Sequence, residues 1–459
     1  MNKIKFYFLI AFAAIVSVSS CKKTISLDEV GGIPVDSVIR TEADLNGLVK
    51  SGYFAFAADD YYGGAFQVYS ELPADHLDGV TLGGNYLSAF SRSVNIFNGD
   101  NASLYGQISK PIYQANLVLD YIGLASAAGK NELMGQAKFM RALATFDLVR
   151  LYAQPYVAAT AATTPGVPLR LNSERQKVVR KSVAEVYAQI IADLKSADTL
   201  LSLSNSVYAT KWSARAALAK VYFQMNDFTN AYLYSNMVLA NGGFGFDATI
   251  TQRFSSGRSS ETVFGLIPET ANPRGRFGRL RDNFSTLGAG LPALRLDNAF
   301  YTRATANATD KRNAAWYTSR NGSYLLSKFD TAYTLPVLYT TELKLIRAEA
   351  AAESNTNLPV AIADMNQIIT RAYGAASGLI LPANATAALI KDAARREREL
   401  ELVGEGNWLQ ELKRRGAKGE AITIRGAVYN CPGLIFPFPS NEIIYSAPGL
   451  IQNPTGGCN

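Results

Sequence analysis

The residues with the most explicit chemistry stand at positions 18–21, Val18-Ser19-Ser20-Cys21. A cysteine directly after small residues, preceded by Lys3, Lys5 and an apolar run from Phe6 to Val18, matches an export signal that ends at an acylated thiol. Cleavage before Cys21 would leave residues 1–20 as a leader and tether the rest by lipid. The alternative is an ordinary exported protein with an incidental cysteine. The apolar run is shorter than the roughly 20 residues a membrane span needs, so it is not a transmembrane anchor. Cys431 and Cys458 then form an even pair, and an oxidising compartment permits a disulfide between them. Two free thiols are the alternative. One histidine, His76, and two distant cysteines make no metal-ligand cluster, and no cofactor is expected. Glycoside hydrolysis needs two carboxylates roughly 5–10 Å apart, one of them kept protonated. Glu71, Asp75 and Asp78 are close in sequence, but they read as solvated loop carboxylates, and His76 reads as a loop residue.

Charge narrows the classes further. Removing Lys3 and Lys5 with the leader takes the formal charge from +7 to +5, with basic residues scattered and no long like-charge block. Nucleic-acid binding gets no support. Gly242-Gly243-Phe244-Gly245 lacks a following Lys-Ser or Lys-Thr and is no phosphate loop.

Such chemistry needs elements to hold it, and the chain is rich in helical periods. Phe139, Leu143, Phe146 and Val149 share one face of a helix, with Arg141, Asp147 and Arg150 making it amphipathic and Pro155 ending it. Ser182 and Glu185 predict a capping box opening a helix from Val183 to Leu201. Residues 212–239 read as two helices broken at Asn226-Asp227. Leu218, Ala219, Tyr222 and Ala231 sit at the large and small positions of a degenerate tetratricopeptide-type repeat. A second pair runs from Leu338 to Arg371 with a break at Asn355 to Pro359, and segments 101–124 and 131–152 supply another. Isolated repeats cannot bury their faces, so the pairs must stack. The run Arg395-Arg396-Glu397-Arg398-Glu399 reads as a solvated helix face, and Trp212 and Trp408 as core. Residues 53–100 and 242–335 break this texture with Gly, Asn, Arg and aromatic residues, and long irregular segments of that kind are commonly functional loops.

Several blocks together resemble the SusD/RagB family of outer-membrane lipoproteins. Ala137-Lys138-Phe139-Met140-Arg141-Ala142-Leu143-Ala144-Thr145-Phe146-Asp147-Leu148-Val149-Arg150-Leu151-Tyr152 is very like its hallmark helix, followed by Pro155-Tyr156-Val157 and Gly166-Val167-Pro168-Leu169. Asp193-Leu194 with Ala197, Leu345-Ile346-Arg347-Ala348-Glu349-Ala350 and Arg371-Ala372 resemble later landmarks. Phe436-Pro437-Phe438-Pro439-Ser440-Asn441-Glu442-Ile443 and Gln452-Asn453-Pro454 resemble the closing signature. The order of these matches from about residue 100 onward makes the set specific. One departure is that Trp408-Leu409 stands where the family usually has other residues after Glu405-Gly406.

The resemblance implies a mainly α, SusD-like fold with stacked helix pairs and an inserted loop-rich ligand-binding region. It divides the mature chain into a lipidated linker (21–40), an N-terminal helical-repeat region (41–241), a loop-rich region (242–335) and a C-terminal region (336–459). It implies a non-catalytic lipoprotein on the outward side of the outer membrane. Such a protein binds an oligosaccharide or related nutrient and passes it to a SusC-like TonB-dependent transporter. A peptide-binding helical scaffold and, more remotely, a glycoside hydrolase are the alternatives. Sugar rings offer flat apolar faces edged with hydroxyls, so a binder wants exposed aromatic platforms beside polar groups. Trp316, Tyr317 and Arg320, with Asn321, fit that description by residue type, as do Tyr86 and Asp75.

Overall fold

The computed structural model describes residues 35–205, 207–254, 259–266, 277–330, 334–456 and 458. Cys21, the leader and most of the linker lie outside the described residues. The chain divides into two units, Met1–Arg40 and Thr41–Asn459. Of the first, only the short stretch holding the helix Val35–Val38 is described. The second unit is one compact body from Thr41 onward.

That unit is built on a run of paired helices. α1 (Glu42–Ala57) opens with a Thr41/Asp44 capping box. α2 (Ala65–Glu71) is buried throughout. α3 (Gly99–Asp120) packs between α1 and α4 (Lys130–Tyr152). α4 packs on α5 (Val183–Leu200), which the Ser182/Glu185 capping box opens as expected. α6 (Lys211–Gln224) and α7 (Phe228–Asn241) form the repeat-like pair, broken where Asn226 takes a positive φ. Leu218, Ala219, Tyr222 and Ala231 are buried, and the small Ala219 and Ala231 let the two backbones approach. Between α7 and the last pairs comes a short α8 (Asn298–Ala304). α9 (Thr340–Glu353) then packs on α7, α10 (Leu358–Tyr373) and α11 (Ala387–Glu401), around a core that includes Leu345, Met365, Ile369 and Ile390. The last long helix is α12 (Trp408–Ala417).

Among the described residues, four two-stranded antiparallel sheets decorate the helices. They pair β1 (Pro165–Pro168) with β2 (Arg180–Ser182) and β3 (Thr262–Leu266) with β6 (Leu335–Tyr339). β4 (Tyr317–Arg320) pairs with β5 (Ser323–Leu326), and β7 (Thr423–Ile424) with β8 (Ala427–Val428). Leu338, expected at a helix start, therefore lies in a strand, and α9 begins two residues later.

Two expectations about charge are corrected. α4 has no solvated face over its C-terminal half, since Arg141, Asp147 and Arg150 are buried with the apolar residues. Arg141 forks onto Asp193 with two 2.8 Å bonds, and Asp147 accepts from Tyr61, Tyr62 and Arg150. Buried charge is tolerated there because each charge is partnered. In α11, Glu397, Arg398 and Glu401 are buried as well, so the charge run is an interior network rather than a solvated face.

The closing segment packs back on the hallmark helix. Phe436 N donates to Leu151 O, the Phe438 ring stacks on Tyr152, and the Asn453 amide donates to Tyr152 O and Phe436 O. Cys431 and Cys458 are disulfide-bonded, with sulfurs 2.07 Å apart.

Candidate functional site

The two loop-rich segments meet in space. Isolated bridges join Leu77 to Leu296 and Leu296 to Tyr324. Asp78 N donates to Arg295 O (2.9 Å), Asp297 N to His76 O (2.9 Å) and Leu296 N to Tyr324 O (2.8 Å). Two local features fix the backbone at this junction. Asp297 N-caps α8 through its Oδ1, which accepts from Ala299 N and Phe300 N. β4 and β5 are joined by Asn321-Gly322, both at positive φ, the residue pair that a tight two-residue hairpin demands.

Together they set Tyr301 of α8 against Tyr324 of β5. The rings stack with centroids 4.1 Å apart and 22° between planes, and both residues are half-buried. Arg295 Nη1 donates to Ser323 Oγ beside them (3.4 Å). An open groove of about 650 Å³ lies along residues 281–292, lined by Arg281, Asp282, Ser285, Leu287, Leu291 and Asp330. Arg320 shapes it by donating to the carbonyls of Thr286, Gly288 and Gly290, and Asp330 accepts from Thr286 N and Oγ1. A stacked aromatic pair beside polar groups can hold a ring with an apolar face and hydroxyl edges.

The residues singled out by type do not all come together here. Trp316 is only 1% exposed, with Lys328 Nζ 4.5 Å above its ring, so it offers no outward platform. Tyr317 is buried behind the pair, meeting Tyr301 and Phe300 edge-on, and burial pushes its phenol pKa up. Arg320 is turned onto the groove-wall carbonyls. Tyr86 is half-buried in a separate cluster, where its hydroxyl accepts from Arg279 Nε (3.2 Å) and its ring meets Tyr69. Asp75 accepts from Trp408 Nε1 (2.6 Å). Glu71 is buried, accepting from Gly406 N (2.9 Å), which corrects its reading as a solvated carboxylate. His76 stands in a loop, as expected, and that loop is buried at this residue.

Tyr301 and Tyr324 are candidates that residue type alone did not single out. The signals were the Asp297 cap and the Asn-Gly turn, which put each tyrosine on a defined element a few residues on. Sequence reasoning also missed the charge network behind the site. Arg312 contacts Asp310, Glu397 and Glu401; Arg371 bridges Glu261 and Glu401; Lys328 and Arg253 hold Glu405. Burial alone would raise the Glu401 carboxyl, but Arg371, Arg312 and Arg253 outweigh it and hold it down to about 2. Burial lowers the Lys328 ammonium to about 8 despite Glu405 beside it. Among the described residues, no group of three or more His, Cys, Asp or Glu is placed to hold a metal ion.

Comparison with known proteins agrees with the architecture. A family model described as starch-binding, associating with the outer membrane, matches residues 34–223, and the SusD family model matches 303–455. SusD-like protein P2 of Formosa agariphila is 24% identical over 529 aligned positions, covering 99% of this chain and all of that protein. A SusD-like protein of Bacteroides ovatus is 27% identical over 158 residues, 32% of this chain and 26% of its own. Among solved structures, a putative sugar binding protein from Bacteroides vulgatus has a TM-score of 0.78 at 22% identity, covering 91% of this chain and 99% of that one. Surface glycan-binding protein A from Bacteroides uniformis has a TM-score of 0.72 at 18% identity, with coverages of 90% and 99%. At these identities the structural likeness speaks for the fold. The stretch from Arg281 to Pro292 lies between the two matched spans.

Proposed function

Because this chain belongs to the SusD/RagB family, we propose that it is a non-catalytic, lipid-anchored outer-membrane protein. It binds an oligosaccharide and delivers it to a SusC-like TonB-dependent transporter. The observation that carries the binding role is the stacked, half-buried Tyr301–Tyr324 pair at the junction of the two loop-rich segments. Stacked tyrosines keep their outward area rigid at little entropic cost, and sugar C–H faces dock on such area while Arg295 and Ser323 meet the hydroxyls. The groove along residues 281–292, tied to the same hairpin through Arg320, offers room for further rings. The names of the relatives support the ligand class, since one is a surface glycan-binding protein and another a putative sugar binding protein. Acylation of Cys21 keeps the body beside its transporter.

Calorimetric or array screening of the pure chain against glycans tests this reading. A glycan that binds without being cleaved is the expected result. Hydrolysis of a bound glycan would overturn the non-catalytic role, and binding left intact in a Tyr301→Ala/Tyr324→Ala double variant would overturn the site.

A further inference from the structure

His76 is the one histidine of the chain and is 1% exposed. Its ring lies between two aromatic faces, Trp408 at 4.8 Å and 12°, and Phe300 at 4.0 Å and 33°. Each ring nitrogen faces a different carboxylate. Nδ1 is 3.6 Å from Glu71 Oε2, and Nε2 is 3.5 Å from Glu399 Oε1. Glu71 is fixed by Gly406 N–H, and Glu399 by two bonds from Arg303. A neutral imidazole has one N–H. In that state the other nitrogen would aim its lone pair at a carboxylate oxygen in a buried site, an arrangement that is costly. At 3.5 and 3.6 Å the contacts are ion pairs rather than hydrogen bonds, so only the imidazolium, which carries the charge and an N–H toward each side, is attracted by both carboxylates, and the stacked rings favour a cation between them.

The same residue holds the candidate site. Its carbonyl accepts the Asp297 N–H, and Asp297 caps α8, which carries Phe300 against the His76 ring and Tyr301 in the platform. We propose that His76 is a positioning residue. It acts as an imidazolium clamp that ties α2 and α11 beneath the α8 N-terminus and loosens the tyrosine platform when it loses its proton. Only the consequence for ligand rests on the binding role proposed above; the clamp itself is a property of the free protein.

Charged groups reach this pocket from each packed element: Glu71 from α2, Glu399 from α11, and Arg303 and the capping Asp297 at α8. Asp75 engages the Trp408 indole, and Arg398 with Glu411 lines the small void beside Trp408. Burial pushes the imidazole pKa down, but Glu399 and Glu71 outweigh it and raise it to about 8. The folded-state value lies above the unfolded value of roughly 6.5. The clamp's contribution is therefore complete below that value and is lost as pH rises through about 8. Lys328 and Lys413, lowered by burial to about 8 and about 7, add stability over part of the same range as they neutralise. Global melting therefore does not isolate the clamp, and local readouts do.

With a single histidine, ring ¹³C labelling of the full chain without a histidine tag gives one imidazole resonance. The expected result is a midpoint above about 7.5, against roughly 6.5 for a free imidazole. A midpoint at or below 6.5, or a neutral ring at pH 6, overturns the clamp. Glu399→Gln keeps His76 and removes one charge. It should lower the midpoint by about one unit, and an unchanged midpoint overturns the assignment. Hydrogen exchange over residues 295–301, corrected for intrinsic rate, tests positioning. Protection in the wild-type chain should fall about tenfold between pH 6 and 9, and in His76→Gln it should be low at both. Equal, pH-insensitive protection in the two chains overturns the positioning role. If His76→Gln does not fold, the same comparison is made with Glu399→Gln. None of these readouts needs a ligand, so failure of the glycan screen leaves them intact.

Discussion

Tyr324 follows the Asn321-Gly322 turn by two positions, and that short distance makes its direction dependable. Hairpin geometry sets the strand, and the stack against Tyr301 removes the remaining freedom of the ring. Tyr324→Ala is expected to weaken a found glycan about tenfold with little change in melting temperature, since an aromatic contact contributes roughly 0.5–1.5 kcal/mol beyond its area. Calorimetry and differential scanning fluorimetry on the same samples check both halves. Trp316→Ala behaves the opposite way. A large side chain removed from the interior costs about 3–5 kcal/mol, so melting should fall first.

Among the elements, α5 and α11 illustrate two ways a helix is held. α5 starts on a capping box that any reader of Ser182 and Glu185 can find, and Ser182→Ala should cost about 1 kcal/mol in urea unfolding. α11 is held by what it meets. Glu401 is 0% exposed and contacts Arg371, Arg312 and Arg253. Glu401→Gln leaves buried guanidinium groups short of a charge partner and should cost roughly 3–5 kcal/mol. A loss under 1 kcal/mol in urea unfolding would mean that the cluster is not holding α11 to its neighbours.

Over the whole molecule, the interior charge network is expected to govern stability in acid. Arginine partners outweigh burial and hold the Glu401 and Glu349 carboxyls down to about 2, below their ordinary value near 4.5. Their contribution is present above about 4.5 and is lost as pH falls toward 2. Thermal midpoints followed by circular dichroism should drop steeply over that window, and Glu401→Gln should flatten the slope. At the membrane, Cys21→Ala is expected to move the protein into the soluble fraction, which fractionation and lipid labelling check. Much of this architecture was legible in the sequence. Capping residues, helical periods and the Asn226-Asp227 break act over a few positions, so they determined the helix pairs, and the order of the landmark blocks determined the family. The site was less legible. Trp316 and Tyr301 are both aromatic residues in irregular chain, and only the tertiary pairing around residues 77, 296 and 324 leaves one interior and the other half-buried against Tyr324. Likewise the charges at 395–401 alternate as a solvated face would. That Glu397 and Glu401 are buried depends on Arg312 and Arg371, which reach them across tens of residues. Burial is decided by which distant partners arrive, and local residue patterns do not encode those partners.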